Sequence, residues 1–423
     1  MTTDQRGFLR LLHGLGIAIL ALASLVASLS AQTEKVLYSF SSGLAGWAPQ
    51  AGLAMDGTGA LYGTNTSGGP TGYGTVFKLN PPAAKGDSWT ETTIYSFTGN
   101  SDGQFPADRG ALVLDKSGNL YGTTSYGGLH GYGTVFELTP PASGKVWTEA
   151  ILYSFDLGSD AQNPLAGLTT AGSTLYGTTR AGGAYGVGAV FRLTPPSLPG
   201  GAWKETVLYS FTGGDDGSLP FASPTARNGV LYGTTELGGS MNNGVVYQLS
   251  PPAKGSTTWT ETVLHTFPAN FTNDGGNPYA GLIFDKQGAL YGTTPGTFGA
   301  LPYGMVFKLT PPDWEETILY SFTGGNDGEY PTGTLTFDSG GALYGTSSGY
   351  AYENLGGIQG SAFKLTPPTV VGDPWTETTL HTFTGGKDGG TPFDGLLFSG
   401  DTLYGTTWEG GPKNGGVIFE VKP

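Results

Sequence analysis

Apolar residues in this chain fall in short runs, and glycine or proline bounds nearly every run. The runs are rich in Val, Tyr, Phe, Thr and Leu, and no helical periodicity separates them. Runs of β-branched and aromatic residues between turn-forming residues are typical of strands. The pattern therefore predicts an all-β chain.

The runs recur in seven units with a period of about 57 residues. Each unit has four predicted strands, exemplified by residues 52–56, the Leu-Tyr-Gly-Thr run at 61–64, residues 74–79 and the Trp-to-Phe run at 89–97. Four strands repeated radially describe the blade of a β-propeller. A glycine inside a strand indicates a close backbone approach or a bulge. The seven Leu-Tyr-Gly-Thr runs begin at Leu61, Leu120, Leu175, Leu231, Leu290, Leu343 and Leu403.

The two ends of the repeated region complement each other. Residues 35–40 form a lone fourth strand, and the last unit stops after its third strand at 415–421. A linear solenoid is the alternative architecture, but it would need atypical capping repeats at both ends. We therefore predict a seven-bladed β-propeller with four antiparallel strands per blade, in which the N-terminal strand completes the last blade.

A different pattern precedes the repeats. Arg6 and Arg10 come before an uncharged apolar run at 15–29, which is followed by small residues up to Ala31. This is the pattern of a secretory signal peptide, with an uncleaved membrane anchor as the alternative. We predict a signal peptide at 1–31 and a single propeller domain at 32–423. The protein would be secreted, held at the cell surface or periplasmic, with no transmembrane segment after signal removal.

Composition narrows the functional classes. The chain has 19 Lys and Arg against 33 Asp and Glu, a net charge of −14, and no basic block. Nucleic acids and anionic membranes are unfavourable partners, because both require a concentrated positive surface. Without Cys, the chain has no disulfides, thiolate metal sites or Cys nucleophiles. No metal or cofactor is predicted, and the protein is expected to be a monomer.

An Asp-x-x-x-Pro motif recurs between the fourth strand of one unit and the first strand of the next. We interpret it as a turn in which the carboxylate accepts hydrogen bonds from nearby backbone N–H groups. A ring of carboxylates for calcium is the alternative, but one Asp per blade supplies too few oxygens. The first unit has Ala45 in place of the Asp. The six structural-turn residues are Asp102, Asp160, Asp216, Asp274, Asp327 and Asp388.

The segment between Leu-Tyr-Gly-Thr and the third strand varies most between units and carries aromatic residues. In propeller topology this segment lies on the same face as the Asp-x-x-x-Pro loop, and loops often carry function. Aromatic rings flanked by polar groups suit sugars and also peptides. The alternative is that these rings only cover neighbouring blades. The candidate ligand-binding residues are Tyr73, Tyr126, Tyr132, Tyr185, Tyr303, Tyr352 and Trp408.

No catalytic residues are predicted. His265 and His381 replace a strand tyrosine, and His130 is the loop histidine of the repeats. The carboxylates and hydroxyls recur in every unit, so no Ser-His-Asp set stands out. A glycosidase carboxylate pair is defined by the distance between the two carboxylates in space, so the sequence alone neither identifies nor excludes one. An enzyme would require two unrepeated acids that converge near the central channel.

The combination LYGTT-x-x-GG, GTVFKLTPP and WTET-x-LYSFTGG resembles the GloVer-type tandem repeat of exported bacterial proteins, and all seven units fit. The resemblance implies an export signal and often a C-terminal anchor, but no activity and no catalytic residues. No such anchor follows the seventh unit, so release is expected. We expect a non-catalytic binding module for an extracellular polysaccharide, another polymer or a cell-surface protein. The alternatives are a propeller-type polysaccharide hydrolase or lyase and a purely structural cell-surface protein.

Overall fold

Seven antiparallel sheets of four strands, arranged in a ring, confirm the seven-bladed β-propeller. The computed structural model describes residues 34–107, 109–144, 146–198, 200–268, 275–296, 303–349, 359–370 and 372–423. The predicted signal peptide lies outside these ranges. Within them there is no helix, and so none that is long and apolar enough to cross a membrane.

We number the blades 1 to 7 in the order of their Leu-Tyr-Gly-Thr strands. The first strands are Ala54–Met55, Val113–Leu114, Thr169–Ala171, Thr225–Arg227, Ile283–Phe284, Thr336–Phe337 and Leu397–Ser399. The second strands are Leu61–Asn65, Leu120–Tyr126, Thr174–Thr179, Val230–Thr235, Leu290–Thr294, Leu343–Ser347 and Thr402–Thr407. The third strands are Thr75–Asn80, Thr134–Thr139, Ala189–Thr194, Val245–Ser250, Met305–Thr310, Ser361–Thr366 and Asn414–Val421.

The fourth strands of blades 1 to 6 are Thr90–Ser96, Thr148–Ser154, Lys204–Ser210, Thr260–Thr266, Glu315–Ser321 and Thr376–Thr382. Three shorter strands, Gln104–Pro106, Ala161–Gln162 and Ala181–Gly182, lie in the connecting loops.

The N-terminal strand Lys35–Ser41 is the fourth strand of blade 7, as predicted. It pairs antiparallel with Asn414–Val421, with Lys35 opposite Glu420 and Ser39 opposite Val417. A salt bridge of 3.1 Å also joins Lys35 Nζ to Glu420 Oε1. The third strand of blade 7 is therefore paired on both sides, and the ring closes without exposing its edge.

The glycine of Leu-Tyr-Gly-Thr lies in close contact with an aromatic ring of the third strand. A Cβ at Gly63 would stand 2.5 Å from Cζ of Phe77, and the corresponding glycines of the other blades are equally confined. Pairing through Gly63 is regular. The irregularity falls in the fourth strand, where Val76 pairs with Tyr95 and Phe77 with Thr93, leaving one extra residue between them.

The threonine of Leu-Tyr-Gly-Thr joins neighbouring blades at six of the described interfaces. Its hydroxyl donates to a carbonyl at the start of the next blade, as from Thr123 to Ala166 at 2.7 Å. At the ring closure, Thr406 donates to Ala51 at 3.0 Å. Each such buried bond stabilises the fold by about 1 kcal/mol. Aromatic pairs add a second contact between blades, as between Tyr62 of blade 1 and Trp147 of blade 2, whose ring centroids lie 6.2 Å apart.

Candidate functional site

One face of the ring carries the loops after the second strands and the Asp-x-x-x-Pro loops, and we call it the loop face. The two loops are joined by backbone hydrogen bonds, as from Ser218 N to Leu237 O at 2.8 Å and from Glu236 N to Leu219 O at 3.1 Å. The turns between the first and second strands lie at the opposite ends of the antiparallel strands. The loop face therefore collects the most variable parts of all seven units.

The carboxylates of the Asp-x-x-x-Pro loops accept hydrogen bonds from their own turns. Asp216 accepts from the hydroxyl of Tyr209 at 2.9 Å, from the backbone N–H of Thr212 at 2.8 Å and from the Thr212 hydroxyl at 2.5 Å. The same pattern recurs at Asp102 and Asp327. Such carboxylates are directed at the protein rather than at a ligand.

Two turns vary this pattern. Asp160 accepts from the Tyr153 hydroxyl at 3.0 Å and from the backbone N–H of Asp156 at 2.8 Å. Asp388 has His381 Nε2 at 3.1 Å in place of the tyrosine hydroxyl. Asp274 lies outside the described residues. In the described part of the chain, no three His, Asp or Glu side chains come together in a group that could hold a metal ion.

Three of the candidate tyrosines pack against neighbouring parts of the fold. Tyr73 lies against Gly99, Tyr303 lies against Gly324, and a Cβ at either glycine would clash with the tyrosine ring. Tyr132 packs against the apolar core between blades 2 and 3. These three side chains have structural contacts that account for their positions.

The remaining candidates differ in exposure. Tyr126 is 47% exposed and Tyr185 is 62% exposed. Phe105 lies between Tyr73 and Tyr126, with ring centroids at 6.0 and 6.3 Å, so these two tyrosines share one aromatic string. No described ring contact connects that string with Tyr185. Tyr352 lies outside the described residues.

Trp408 belongs to a different group of residues, which lies where the central channel opens on the loop face. Its ring contacts Phe393 at a centroid distance of 5.6 Å. Phe393, Phe221 and Tyr279 each follow the proline of an Asp-x-x-x-Pro motif, whereas the other four units have Gln, Ala, Leu and Thr there. We call this group, together with the arginines described next, the channel mouth.

Arg109 places a cation among the three rings of the channel mouth. Its guanidinium carbon lies 5.2 Å from the ring centroid of Tyr279, 5.7 Å from that of Phe393 and 5.8 Å from that of Phe221. The second unit has two more residues between Pro106 and Leu112 than the other units have at this place. This insertion carries Arg109 into the mouth.

A second guanidinium and an acid extend the channel mouth. The guanidinium carbon of Arg180, an exposed residue, lies 5.2 Å from the ring centroid of Phe221. The Tyr279 hydroxyl donates to Glu236 Oε1 at 2.9 Å. Burial raises the pKa of Tyr279, the Glu236 carboxylate raises it further, and the two arginines oppose that shift. Glu236 Oε2 is buried and has no hydrogen-bond partner among the described residues.

Below the mouth, the starts of the first strands of all seven blades line a cavity of about 380 Å³. Arg109 and Asp394 are its charged residues among those described. Asp394 accepts backbone hydrogen bonds from Gly52 at 2.7 Å, Gly110 at 2.5 Å and Gly395 at 2.6 Å. It therefore holds blades 7, 1 and 2 together at the channel. The cavity volume lies in the range of small-ligand sites.

Sequence reasoning selected Trp408 from this group but missed Arg109, Arg180, Tyr279 and Asp394. The signal that marks them is their departure from the repeat. The position of Asp394 is Ala or Gly in five other units, and the position of Arg180 is Glu, Pro, Trp, Ser or Thr elsewhere. Ring closure then brings residues from distant units to one opening, where rings, cations and an acid can orient a polar ligand.

Comparisons with known proteins agree with the fold. A family model described as the Gloeobacter/Verrucomicrobia repeat matches residues 25–247 and 225–423. Among solved structures, the extracellular domain of a proposed one-component system from B. thetaiotaomicron is 12% identical, with a TM-score of 0.52. That match covers 89% of this chain but only 39% of the other, so this chain spans well under half of that length.

Two further solved structures have lower TM-scores. An α-L-arabinanase from Penicillium chrysogenum, complexed with arabinobiose, is 13% identical with a TM-score of 0.42, covering 73% of this chain and 91% of that one. A proposed oxidoreductase (glucose dehydrogenase) from Thermus thermophilus is 15% identical with a TM-score of 0.42, covering 92% and 99%. A search of the curated proteins finds no match. At 12% identity, the likeness to the extracellular domain shows a shared fold alone.

Proposed function

Because this chain belongs to the Gloeobacter/Verrucomicrobia repeat family, its seven units share one frame, and we propose that the residues departing from that frame form its functional site. The protein would be an exported, non-catalytic binding module. It would hold a carbohydrate or another extracellular polymer at the channel mouth, on the loop face.

The observation that carries this proposal is the convergence of unrepeated residues at one opening. A residue that only supports the fold has the same role in each blade, so it tends to recur, as Thr123 and Thr406 do. Arg109, Arg180 and Tyr279 recur in no other unit, yet they meet around the same aromatic group. Such a group of partly exposed rings and charged side chains over a cavity is typical of ligand sites.

The acids of this region support binding rather than hydrolysis. The Asp394 carboxylate is held by three backbone N–H groups. Glu409 Oε1 accepts the Thr391 hydroxyl at 2.8 Å, and Glu236 Oε1 accepts that of Tyr279. Each of these acids therefore has a hydrogen-bond partner within the protein, which supports a binding role.

Affinity electrophoresis of the full chain against a panel of soluble polysaccharides tests the proposal, with the same gels assayed for degradation. We expect retardation without degradation. Trp408→Ala should abolish the retardation because it removes the ring beside Phe393. Tyr185→Ala is the matched control, since it removes an exposed ring of the same face outside the channel mouth.

The other outcomes identify the alternatives. Retardation with degradation would assign the protein to the polysaccharide hydrolases or lyases. Retardation lost only in Tyr185→Ala would move the site to the outer loops. No retardation by any polymer would contradict the proposal and leave a scaffold role.

Export is part of the same proposal. Removal of residues 1–31 would release a chain that starts with Gln32, next to the closing strand. The test is to express the full chain with its native N-terminus and measure the intact mass and N-terminal sequence of the exported protein. Recovery of the uncleaved chain in the membrane fraction would contradict it.

A further inference from the structure

We infer that the face opposite the loop face carries a docking site for a proline-rich protein segment in the polyproline II conformation. The site consists of two clefts, one on each side of blade 2. It is separate from the channel mouth, so the inference goes beyond the proposed function and does not depend on it.

The two clefts open between blades 1 and 2 and between blades 2 and 3. The first has a volume of about 680 Å³ and the second of about 570 Å³. Leu114, Asp115 and Lys116, where the first strand of blade 2 ends and turns, line both clefts. The clefts are therefore neighbours with a common wall, and each has the volume of a ligand site.

Each cleft is lined by a partly buried tryptophan and by aliphatic side chains. In the first cleft, Trp147 pairs with Tyr62 at a centroid distance of 6.2 Å, and Met55 and Ile94 lie nearby. In the second, Trp203 pairs with the tyrosine of the second strand of blade 2 at 6.4 Å. Such aromatic pairs recur between blades and support the fold, but here they also border an open cleft.

Exposed apolar side chains stand beside both clefts. Val146, which is 82% exposed, directly precedes Trp147, and Leu198, which is 73% exposed, lies in the loop that leads to Trp203. The residue before the tryptophan is Ser, Ala, Thr, Asp or Pro in the other units, so Val146 departs from the repeat. Large apolar side chains left in water beside an aromatic cleft favour an apolar partner.

The carboxylates of the first cleft are already occupied. Asp56 accepts four hydrogen bonds, from its own turn and from the Tyr62 hydroxyl, and Lys78 Nζ lies 3.6 Å from its Oδ2. Asp115 accepts four hydrogen bonds in the same way from the turn and second strand of blade 2. A carboxylate offers about four acceptor sites, so neither side chain is left to accept from a ligand.

Two donors of the first cleft remain open. Neither the indole N–H of Trp147 nor the ammonium of Lys116 has a hydrogen-bond or ion-pair partner among the described residues. A sugar hydroxyl needs an acceptor as well as a donor. Proline has no N–H, and a polyproline II backbone leaves its carbonyls free to accept. The cleft therefore matches a proline-rich segment better than a sugar.

Proline rings and charge complete the match. Proline-rich segments dock in aromatic-lined grooves, and their preformed conformation reduces the entropy lost on binding. Of the two lysines that line the first cleft, Lys78 pairs with Asp56, whereas Lys116 has no carboxylate partner. An acidic residue beside the prolines would supply one. We therefore assign the clefts to a proline-rich segment flanked by an acidic residue.

Fluorescence polarisation of the full chain with a labelled peptide tests the inference. The probe is a nonaproline peptide flanked by glutamates, compared with a peptide of the same length in which glycine and serine replace the prolines. We expect the proline peptide to bind and the flexible peptide to bind about tenfold or more weakly, because it lacks both the rings and the preformed backbone.

Three variants locate the peptide. Val146→Ser should weaken binding about threefold by removing the exposed apolar side chain. Trp147→Phe should weaken it about fivefold, because it keeps an aromatic ring but removes the indole donor. Lys116→Gln should weaken it about twofold, as expected for an exposed ion pair. Val146 and Lys116 are exposed, so these two variants should fold, and their melting curves verify this.

The chain offers two matched controls. Lys286 has the place of Lys116 in the turn of blade 5, is exposed, and lines neither cleft. Leu157 is an exposed apolar residue of the loop face, at 64%. Lys286→Gln and Leu157→Ser should leave the affinity for the proline peptide unchanged.

Four results would overturn the inference. Equal affinity for the two peptides would show that the prolines are not recognised, and no binding of the proline peptide would reject the docking site. Affinity unchanged in both Val146→Ser and Lys116→Gln would place the peptide elsewhere. Retardation by a polysaccharide that is lost in Val146→Ser would replace the peptide with a saccharide. Trp408→Ala should leave peptide binding unchanged, so this inference and the proposed function fail separately.

Discussion

The residue before the motif proline has a left-handed backbone conformation in all seven units, although none of the seven is glycine. Their φ angles lie between 53° and 63° at Ala48, Phe105, Asn163, Leu219, Asn277, Tyr330 and Thr391. This conformation costs a non-glycine residue about 1 kcal/mol or more, and asparagine tolerates it best. The fold sustains it because the N–H of this residue binds the preceding blade, as from Leu219 N to Val187 O at 2.8 Å.

We predict that Leu219→Asn stabilises the protein by about 1 kcal/mol. At the equivalent positions, the amides of Asn163 and Asn277 donate to the Ser125 and Glu236 carbonyls, each at 3.0 Å. The new asparagine should therefore reach the Arg180 carbonyl. Urea unfolding measures the effect. Leu219→Gly is the control, because glycine relieves the strain of the left-handed backbone without adding the hydrogen bond. A free energy of unfolding below that of the wild type would contradict the prediction.

A second prediction at this scale concerns the turn carboxylates. Asp216→Ala should lower the free energy of unfolding by about 1–2 kcal/mol, because it removes the acceptor of the Tyr209 hydroxyl and the Thr212 N–H. Binding at the channel mouth should be unchanged. The exposed neighbour Asp215→Ala is the control and should have little effect. Loss of binding with an unchanged melting temperature would place Asp216 in the ligand site instead.

At the scale of the strands, a glutamate on the fourth strand of one blade faces the turn aspartate of the preceding blade. Burial raises the pKa of Glu205 to about 8, and the charge of Asp160 adds to the shift. Burial and Asp102 raise the pKa of Glu149 to about 7 in the same way. The same arrangement raises the pKa of Glu34, Glu261 and Glu377 to about 7. Oε1 of Glu149, Glu205 and Glu261 is buried without a described partner.

These pKa shifts predict that the propeller is more stable at pH 5 than at pH 8. The folded protein binds protons at these glutamates up to pH 7 to 8, whereas the unfolded chain releases them near its ordinary pKa of 4.5. The stabilisation is therefore complete below pH 4.5 and is lost as the pH rises through 7 to 8. Thermal unfolding across this range measures it. Glu205→Gln should flatten the slope, and the exposed Glu315→Gln should not; a melting temperature that rises with pH would refute this account.

The repeat made the strands predictable because each repeated residue has one physical task. The glycine of Leu-Tyr-Gly-Thr leaves room for Phe77, and the threonine joins the next blade, so seven copies of one pattern fix one blade. The channel mouth has no such pattern. Arg109, Tyr279 and Phe393 lie in different units, and only their meeting in the closed ring shows that they form one group. Tyr73 and Tyr303 show the opposite case, because a recurring aromatic residue in a loop proved to cover a glycine.

At the scale of the whole molecule, blade 7 differs from the other six blades because the N-terminal strand Lys35–Ser41 closes it. Ala45 stands where the other motifs have an aspartate, so Tyr38 lacks the usual carboxylate. Burial raises the pKa of Tyr38, and the Glu91 carboxylate, which takes the place of the aspartate as a hydrogen-bond partner, raises it further. The Lys413 ammonium lies 5.4 Å from the tyrosine ring centroid. The closing strand Lys35–Ser41 pairs with Asn414–Val421, and no turn connects the two strands. In the other blades, the fourth strand follows the third strand directly in the chain. The pairing of the closing strand is therefore expected to open most readily.

We predict that Ala45→Asp strengthens the closure of the ring. The new carboxylate should accept from the Tyr38 hydroxyl and from the N–H and hydroxyl of Ser41, as Asp102 does from Tyr95 and Thr98. A gain of about 1 kcal/mol should slow amide exchange in Lys35–Ser41 about fivefold. Hydrogen exchange measured by mass spectrometry compares this strand with Lys204–Ser210, the equivalent strand of blade 3. In the wild type the closing strand should exchange faster, and Ala45→Asp should reduce the difference. Equal exchange in the two wild-type strands would show that the blade closed by the N-terminal strand is as firmly held as a blade built from continuous chain.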